Sequence, residues 1–450
     1  MATKEQLLKK IDFRNVLAGE SLGDFAPTAG FSSDSFGLNL TKERGVINFI
    51  EGQTTISTSP TGNLIASTDD LNFSGNDKYF LDDDGNAYTL NGTTLTKRQT
   101  MGGTFALGTS DMVQFKLVTY ITSTDAIHEL TGSDLGTTAN WWDGLSPTNR
   151  HPMEVVEKEM FIGDGNLIYY WDGTTSGTAF TLPTENKITS LRKHPDGVHL
   201  LAFTGKTDNF SHTKPSAGRV YYCNPTLRGA SIDGWSREVE LEAQVEGTRL
   251  LGGIVYCTWG MNFGLFDGNG LEFMKPLLTS GTTYSHSISS IEETLLVRDG
   301  RFILAFGNLG AGNVWYRVSK NLVASNINVI AYKGDNKLLF GDAATNLKET
   351  DLDNGGASGI FYSNRDDFDD EVVVKRIVIL HDTATTYELA VSYRDLSDTE
   401  NLIETISHTS QSIQKETINC DIRADIFQLV LAPASGTVGI KAIKIYGHRK

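Results

Sequence analysis

Asp83-Asp84-Gly85-Asn86-Ala87-Tyr88 returns at Asp164-Gly165-Asn166-Leu167-Ile168-Tyr169 and again at Asp267-Gly268-Asn269-Gly270-Leu271. Looser copies follow at Arg298-Asp299-Gly300-Arg301-Phe302 and Lys333-Gly334-Asp335-Asn336-Lys337-Leu338. Each reads as a strand, a tight turn whose glycine or asparagine takes positive φ, and a second strand. The second copy runs on into Tyr170-Trp171-Asp172-Gly173, another hairpin turn directly behind the first. Gly85 and Gly165 stand 80 residues apart, two units of the ~40 residues that make one four-stranded propeller blade. The other intervals are uneven and require insertions or shortened blades.

Around these turns the chain is a succession of short apolar runs, among them Val46–Ile50, Lys78–Leu81, Phe115–Ile121, Leu200–Phe203 and Gly253–Cys257. Gly, Asn, Asp, Ser and Thr separate them, and nothing between them has the length or period of a crossover helix. The connections are therefore hairpins and the sheets antiparallel. Such a series exceeds what one two-sheet sandwich holds, whereas radial repetition hides most strand edges. The expectation is an all-β chain: a β-propeller of six or seven blades over 30–358, then a β-sandwich over 359–450. The sandwich is read from the flexible run Asp351–Gly359 and the alternating strands behind it; Val372–Leu380 has the composition of a strand buried on both faces. Residues 1–29 read as an arm with a short helix, because Leu7, Leu8 and Ile11 sit at helical spacing among Lys4, Glu5, Lys9 and Lys10.

Composition narrows the function classes. The 450 residues carry 39 Lys+Arg against 55 Asp+Glu, a net charge of −16, so no overall basic field draws the chain to nucleic acid. Hydrophobic residues at 39% support a large core and exclude global disorder. Cys223, Cys257 and Cys420 lie too far apart for a disulfide framework or a zinc motif and read as ordinary thiols. The N-terminus lacks the apolar stretch of a signal peptide, and no run has membrane-spanning length. Synthesis in a cytoplasm, without export by a signal peptide, is expected.

The search for chemistry yields no catalytic residues, no cofactor site and no metal site. Asp366-Asp367-Phe368-Asp369-Asp370-Glu371 reads as a solvated interdomain loop before it reads as a calcium site. Asp82-Asp83-Asp84-Gly85 fails as a calcium loop, since Phe80 and Asn91 fall where ligands are needed. His194-Pro195-Asp196-Gly197-Val198-His199 reads as a β-turn, not as a ligand pair. Gly307–Gly312 lacks the Lys-Ser/Thr ending of a phosphate loop, and no Gly-x-Ser-x-Gly elbow occurs. Propeller glycosidases place carboxylates in the central channel, but the Ser-x-Asp-x-Gly-x-x-Trp box of sialidase-like blades does not occur. Trp141, Trp142 and Trp171 could stack on sugar rings, with inter-blade packing as the simpler reading.

Three stretches carry a resemblance to a known group. These are Phe13–Gly19 through Gly45–Phe49, Gly312–Val318 with Leu338–Asp342 and Leu347–Asp351, and Ile360–Ser363 into Val374–Ile377. In these stretches the chain resembles the propeller-bearing virion proteins of tailed bacteriophages, including packaged-DNA stabilisation and tail-nozzle proteins. That resemblance implies a non-enzymatic structural protein of the virion tail or neck. Copies would form a closed ring, often six-fold, that retains the packaged double-stranded DNA and conducts it on ejection. Partners would be the portal, an adaptor or other tail proteins. The acidic excess suits such a conduit because it repels phosphate. The candidate assembly surface is the terminal domain with Val372, Val374, Ile377 and Ile379, and particles that assembled normally after truncation near residue 358 would refute it. The alternative from another class is a tail-tip adsorption protein, whose host-glycan binding would be lost on replacing Trp141, Trp142 or Trp171.

Overall fold

A computed structural model describes residues 5–12, 20–21, 31–32, 35, 38–39, 47–50, 53–56, 59–69, 78–130, 141–183, 185–205, 217–228, 235–277, 283–291, 293–308, 313–321, 325–352, 359–363, 365–381, 386–395, 399–409, 414–436 and 438–449. Among these the chain is all-β, its only helical turns being two three-residue 3-10 pieces at Pro225–Leu227 and Ser285–Ser287. Among the described residues no helix is long and apolar enough to cross a membrane.

Seven four-stranded antiparallel sheets follow one another. Blade 1 spans Leu64–Asp69, Lys78–Asp82, Asn86–Asn91 and Thr94–Thr100. Blades 2 to 6 open with inner strands Met112–Phe115, Met153–Val156, Lys187–Lys193, Gly247–Leu251 and Ile288–Ile291. Blade 7 takes Ile327–Gly334, Lys337–Asp342 and Leu347–Asp351 from one part of the chain and Thr54–Thr55 from far upstream, with Thr55 opposite Lys348. Residues from all seven inner strands line one axial cavity, so the ring is closed. The blades are held by apolar residues on facing sheets. Between blades 3 and 4, Phe161, Ile168 and Phe180 meet Leu191, Leu200 and Tyr221, and equivalent clusters fill the other blade interfaces. The second strand of each blade is apolar on both faces because it is covered on both sides, as in Leu200–Gly205, buried throughout.

The repeat read from sequence is real but mixed in register. Gly85, Gly165 and Gly300, with φ of 77°, 60° and 63°, all occupy the turn between second and third strands of blades 1, 3 and 6. Gly268 instead turns between the last two strands of blade 5, and Asp335-Asn336 between the first two of blade 7.

The C-terminal module is a β-sandwich in which one 22-residue strand, Lys415–Gly436, serves both layers. Its first half pairs with Asp366–His381 and its second half with Tyr387–Arg394. The sheet order is Glu400–His408, Tyr387–Arg394, Lys415–Gly436, Asp366–His381, Gly439–Arg449, Ile47–Phe49 and Leu38–Asn39, with Gln6–Asp12 also on Gly439–Arg449. Three expectations are corrected here. The N-terminal helix is a strand: pairing with Gly439–Arg449 buries Ile11 and leaves Leu7 49% exposed, so the apolar spacing served a sheet edge. Residues 38–49, assigned to the propeller, contribute two strands to the terminal sheet. The acidic run Asp366–Glu371 is no loop but the start of the 16-residue strand; the side chains of 366–370 and the loop 309–312 lie outside the described residues.

One buried side chain works against the fold. His128, in the third strand of blade 2, is fully buried, and neither ring nitrogen has a hydrogen-bond partner. Burial, only partly offset by Asp125 and Asp143, pushes its pKa below the ordinary 6.5. The unfolded chain therefore binds a proton that the folded chain refuses, and this group's contribution worsens as pH falls below about 6.5. His128→Leu is expected to raise stability by about 1–2 kcal/mol at pH 8 and by more at pH 5.5. Urea unfolding at both pH values checks this; an equal or negative change at pH 5.5 counts against it.

Candidate functional site: the axial cavity

The cavity on the propeller axis has a volume of about 360 Å³, and its charged lining residues are Asp111, Glu154, Arg192, Arg249 and His286. Each is delivered at or beside an inner strand, where side chains of the closed ring converge. Asp111 accepts the backbone N–H of Met112 and that of Met153 in blade 3, both at 2.7 Å. His286 Nε2 lies 2.6 Å from Asp111 Oδ1, and its Nδ1 accepts the Ser67 amide at 3.3 Å. That second bond places the ring proton on Nε2, where it is donated to Asp111. Burial alone would raise the Asp111 pKa, yet His286 and the amides of Met153 and Met112 hold it below the ordinary value.

Glu154 behaves oppositely. Burial, with the charge of Asp111, outweighs Arg192 and pushes its carboxyl above the usual range. Arg192 is fully engaged: Nη1 lies 2.8 Å from Glu154, while Nε and Nη2 donate to the Thr248 hydroxyl and carbonyl at 3.1 and 2.9 Å. A second lock is the buried pair Arg150–Glu246 at 3.4 Å, with the guanidinium 5.0 Å from the Tyr284 ring centre. Two carboxyl groups with pKa values displaced in opposite directions is a pattern known from acid–base sites. Here both are tied to partners that join blades, which makes the cavity a polar clasp able to hold a small hydrogen-bonding solute. Composition gave no hint of this set, because its members are spread from residue 67 to residue 286.

The sequence-derived site residues separate into two fates. Trp141, Trp142 and Trp171 do come together: Trp171 lies 4.9 Å from Trp141, Trp142 lies 4.8 Å from Tyr169, and Trp171 Nε1 donates to the Tyr120 hydroxyl at 3.2 Å. All three indoles are half-buried and pack edge-on between blades 2 and 3. Val372, Val374, Ile377 and Ile379 cannot be an assembly surface as expected. Each is fully buried, because Lys415–Gly436 and Gly439–Arg449 flank their strand and both faces are covered. The thiols of Cys223, Cys257 and Cys420 are free; burial raises all three pKa values, that of Cys420 to about 11.

His194–His199 is indeed a turn, joining the first two strands of blade 4. Asp196 Oδ1 accepts the amides of Val198 and His199 at 2.8 and 3.0 Å, and Oδ2 faces Nδ1 of both histidines at 3.0 and 2.6 Å. Burial opposes ionisation there, but these amides and rings hold the carboxyl well below the usual range.

No family model matches the chain, and no curated protein does. Solved structures similar to it are propellers. YCF48 bound to D1 peptide aligns with a TM-score of 0.44 at 10% identity, over 66% of this chain and 95% of that one. BBS1N in complex with ARL6DN gives 0.46 at 13%, over 68% and 96%. The C-terminal WD40 domain of Sif2 gives 0.42 at 10%, over 67% and 99%.

Proposed function

We propose that the protein is a non-catalytic structural component of a larger assembly, and that this assembly is the portal-proximal tail or neck of a tailed bacteriophage. The observation that carries the reading is the double closure of the chain. A strand from residues 54–55 completes blade 7, and strands from residues 6–12, 38–39 and 47–49 complete the C-terminal sheet. The two modules also share a continuous apolar core, from Leu296 and Phe340 of blades 6 and 7 to Phe361 and Leu431. A body so closed resists being pulled apart, because separation must shear several ladders at once. That suits a ring exposed to the pressure of a packaged genome.

In this reading the DNA path is the ring formed by several copies, since a 360 Å³ cavity crossed by Arg192 and Asp111 admits no duplex. The net charge of −16 keeps phosphates from adhering along that path. The subunit contact belongs on Glu400–His408, the outermost strand of the terminal sheet, whose Leu402 is 65% exposed. An unpaired edge of this kind accepts a neighbour's strand. Electron microscopy and mass photometry of the purified chain are expected to show closed rings, and Leu402→Lys to yield monomers with an unchanged melting temperature. A wild-type chain that stays monomeric and never copurifies with capsids refutes the proposal.

A further inference from the structure

The C-terminal module contains a polar nest that its apolar surroundings do not account for. His381 ends the strand Asp366–His381, Tyr387 opens the next, His408 ends Glu400–His408, and Glu416 is the second residue of Lys415–Gly436. The ladder sets Tyr387 opposite His408, and Ile379 opposite Glu416, so all four side chains gather at one end of the sandwich. His381, Tyr387 and His408 are at most 3% exposed; Glu416, at 24%, reaches toward solvent. Two residues along the same strands from Tyr387, His408 and Glu416 lie Leu389, Ile406 and Ile418 of the apolar core.

The geometry converges on one point. Glu416 Oε1 lies 2.7 Å from His408 Nδ1 and 3.9 Å from His381 Nε2, and the two imidazole centres are 4.7 Å apart at 74°. Tyr387 stacks on His408 at 4.9 Å and meets His381 edge-on at 5.3 Å, which fixes both ring planes. His408 Nε2 and the Tyr387 hydroxyl are buried without a hydrogen-bond partner. Burial and the nearby Glu416 keep that phenol protonated.

We propose that His381, His408 and Glu416 form a divalent transition-metal site, with zinc as its natural occupant. Two neutral imidazoles and one carboxylate are the donor set of an open tetrahedral zinc centre, in which a water holds the fourth position. Ligands ~2.0–2.1 Å from a tetrahedral ion stand ~3.3 Å from one another, and the observed 2.7 and 3.9 Å straddle that value. The three ligand atoms already lie within 4.8 Å of one another, so side-chain shifts close the site, and binding displaces the proton between His408 and Glu416. Glu416 at the rim supplies the entry path, and Tyr387 holds the imidazoles in place. The simpler arrangement, a His408–Glu416 hydrogen bond with His381 packed beside it, predicts no metal.

The full-length chain is stripped with chelator and titrated with Zn²⁺ by calorimetry, and separately loaded with Co²⁺. One equivalent of Zn²⁺ is expected to bind and raise the melting temperature, and Co²⁺ to give the intense visible absorption of a four-coordinate centre. Glu416→Gln, at the rim and unable to disturb the core, weakens binding roughly tenfold or more; His381→Ala with His408→Ala abolishes it. His194→Ala with His199→Ala, which dismantles the exposed His194–Asp196–His199 cluster, leaves binding intact. The proposal falls if the stripped chain takes up no Zn²⁺, if Co²⁺ shows only the weak six-coordinate spectrum, or if the loss follows His194 and His199 instead.

Discussion

Asp111→Ala is expected to cost about 4–5 kcal/mol of unfolding free energy, close to the largest effect a single substitution produces. Three donors from three blades end on this carboxylate: the amide of Met112, the amide of Met153 and the ring N–H of His286. Removing it leaves all three facing a small void on the axis, each buried donor losing about 1–3 kcal/mol in isolation. Asp111→Asn keeps the shape without the charge and is expected to cost about half as much. The pH dependence carries a definite sign. The folded pKa lies below the ordinary 3.8, so the stabilisation is present above about pH 4 and fades as pH falls through the folded value. Urea unfolding from pH 7 down to 3 is expected to show the gap between wild type and Asp111→Ala narrowing only in acid. A gap that is small at pH 7 would falsify the clasp.

Asp82→Ala is expected to cost about 3–4 kcal/mol for a different reason. Asp82 ends the second strand of blade 1 and is fully buried. Its carboxylate accepts the amides of Gly62 and Asn86 at 3.0 and 2.7 Å, the Tyr88 hydroxyl at 2.7 Å and the Thr61 hydroxyl at 3.2 Å. One side chain thereby ties the entry loop of the blade to its central hairpin. Asp164 and Asp342 repeat the device: Asp164 accepts the Ser146 amide, and Asp342 accepts the amides of Ala344 and Asn346. If thermal unfolding of Asp82→Ala matched wild type, this tie would be ornamental. Asp84→Ala, two residues on and exposed in the turn, serves as the control with little expected change.

These aspartates show what was legible in the chain and what was not. The Asp-Gly turns stand out because a positive φ restricts the residue choice, and Gly85, Gly165 and Gly300 kept the blade period through insertions. Gly268 and Asp335-Asn336 mimic them because every hairpin in a blade needs the same turn chemistry. Blade 2 hides its copy: Ser123 accepts the Ala126 amide where blades 1 and 7 use Asp82 and Asp342. Leu7, Leu8 and Ile11 misled because three apolar residues in a short window fit a strand with a bulge as well as a helix, and their partner strand lies at the opposite terminus. Val372–Ile379 announced burial correctly, and for that reason could not also be a contact surface. The axial clasp and the His381–His408–Glu416 nest were illegible, since their members meet only after distant strands pair.

The placement of residues 6–12 beside Gly439–Arg449 also constrains the order of manufacture. A ribosome adding ~5–20 residues per second needs tens of seconds to travel from one partner to the other. Throughout that interval the first strand waits with its amides bare, and the terminal sheet cannot finish until the last segment emerges. Yield in a cell should therefore track chaperone supply and elongation rate, and a permuted gene that joins the old termini and opens elsewhere should mature faster.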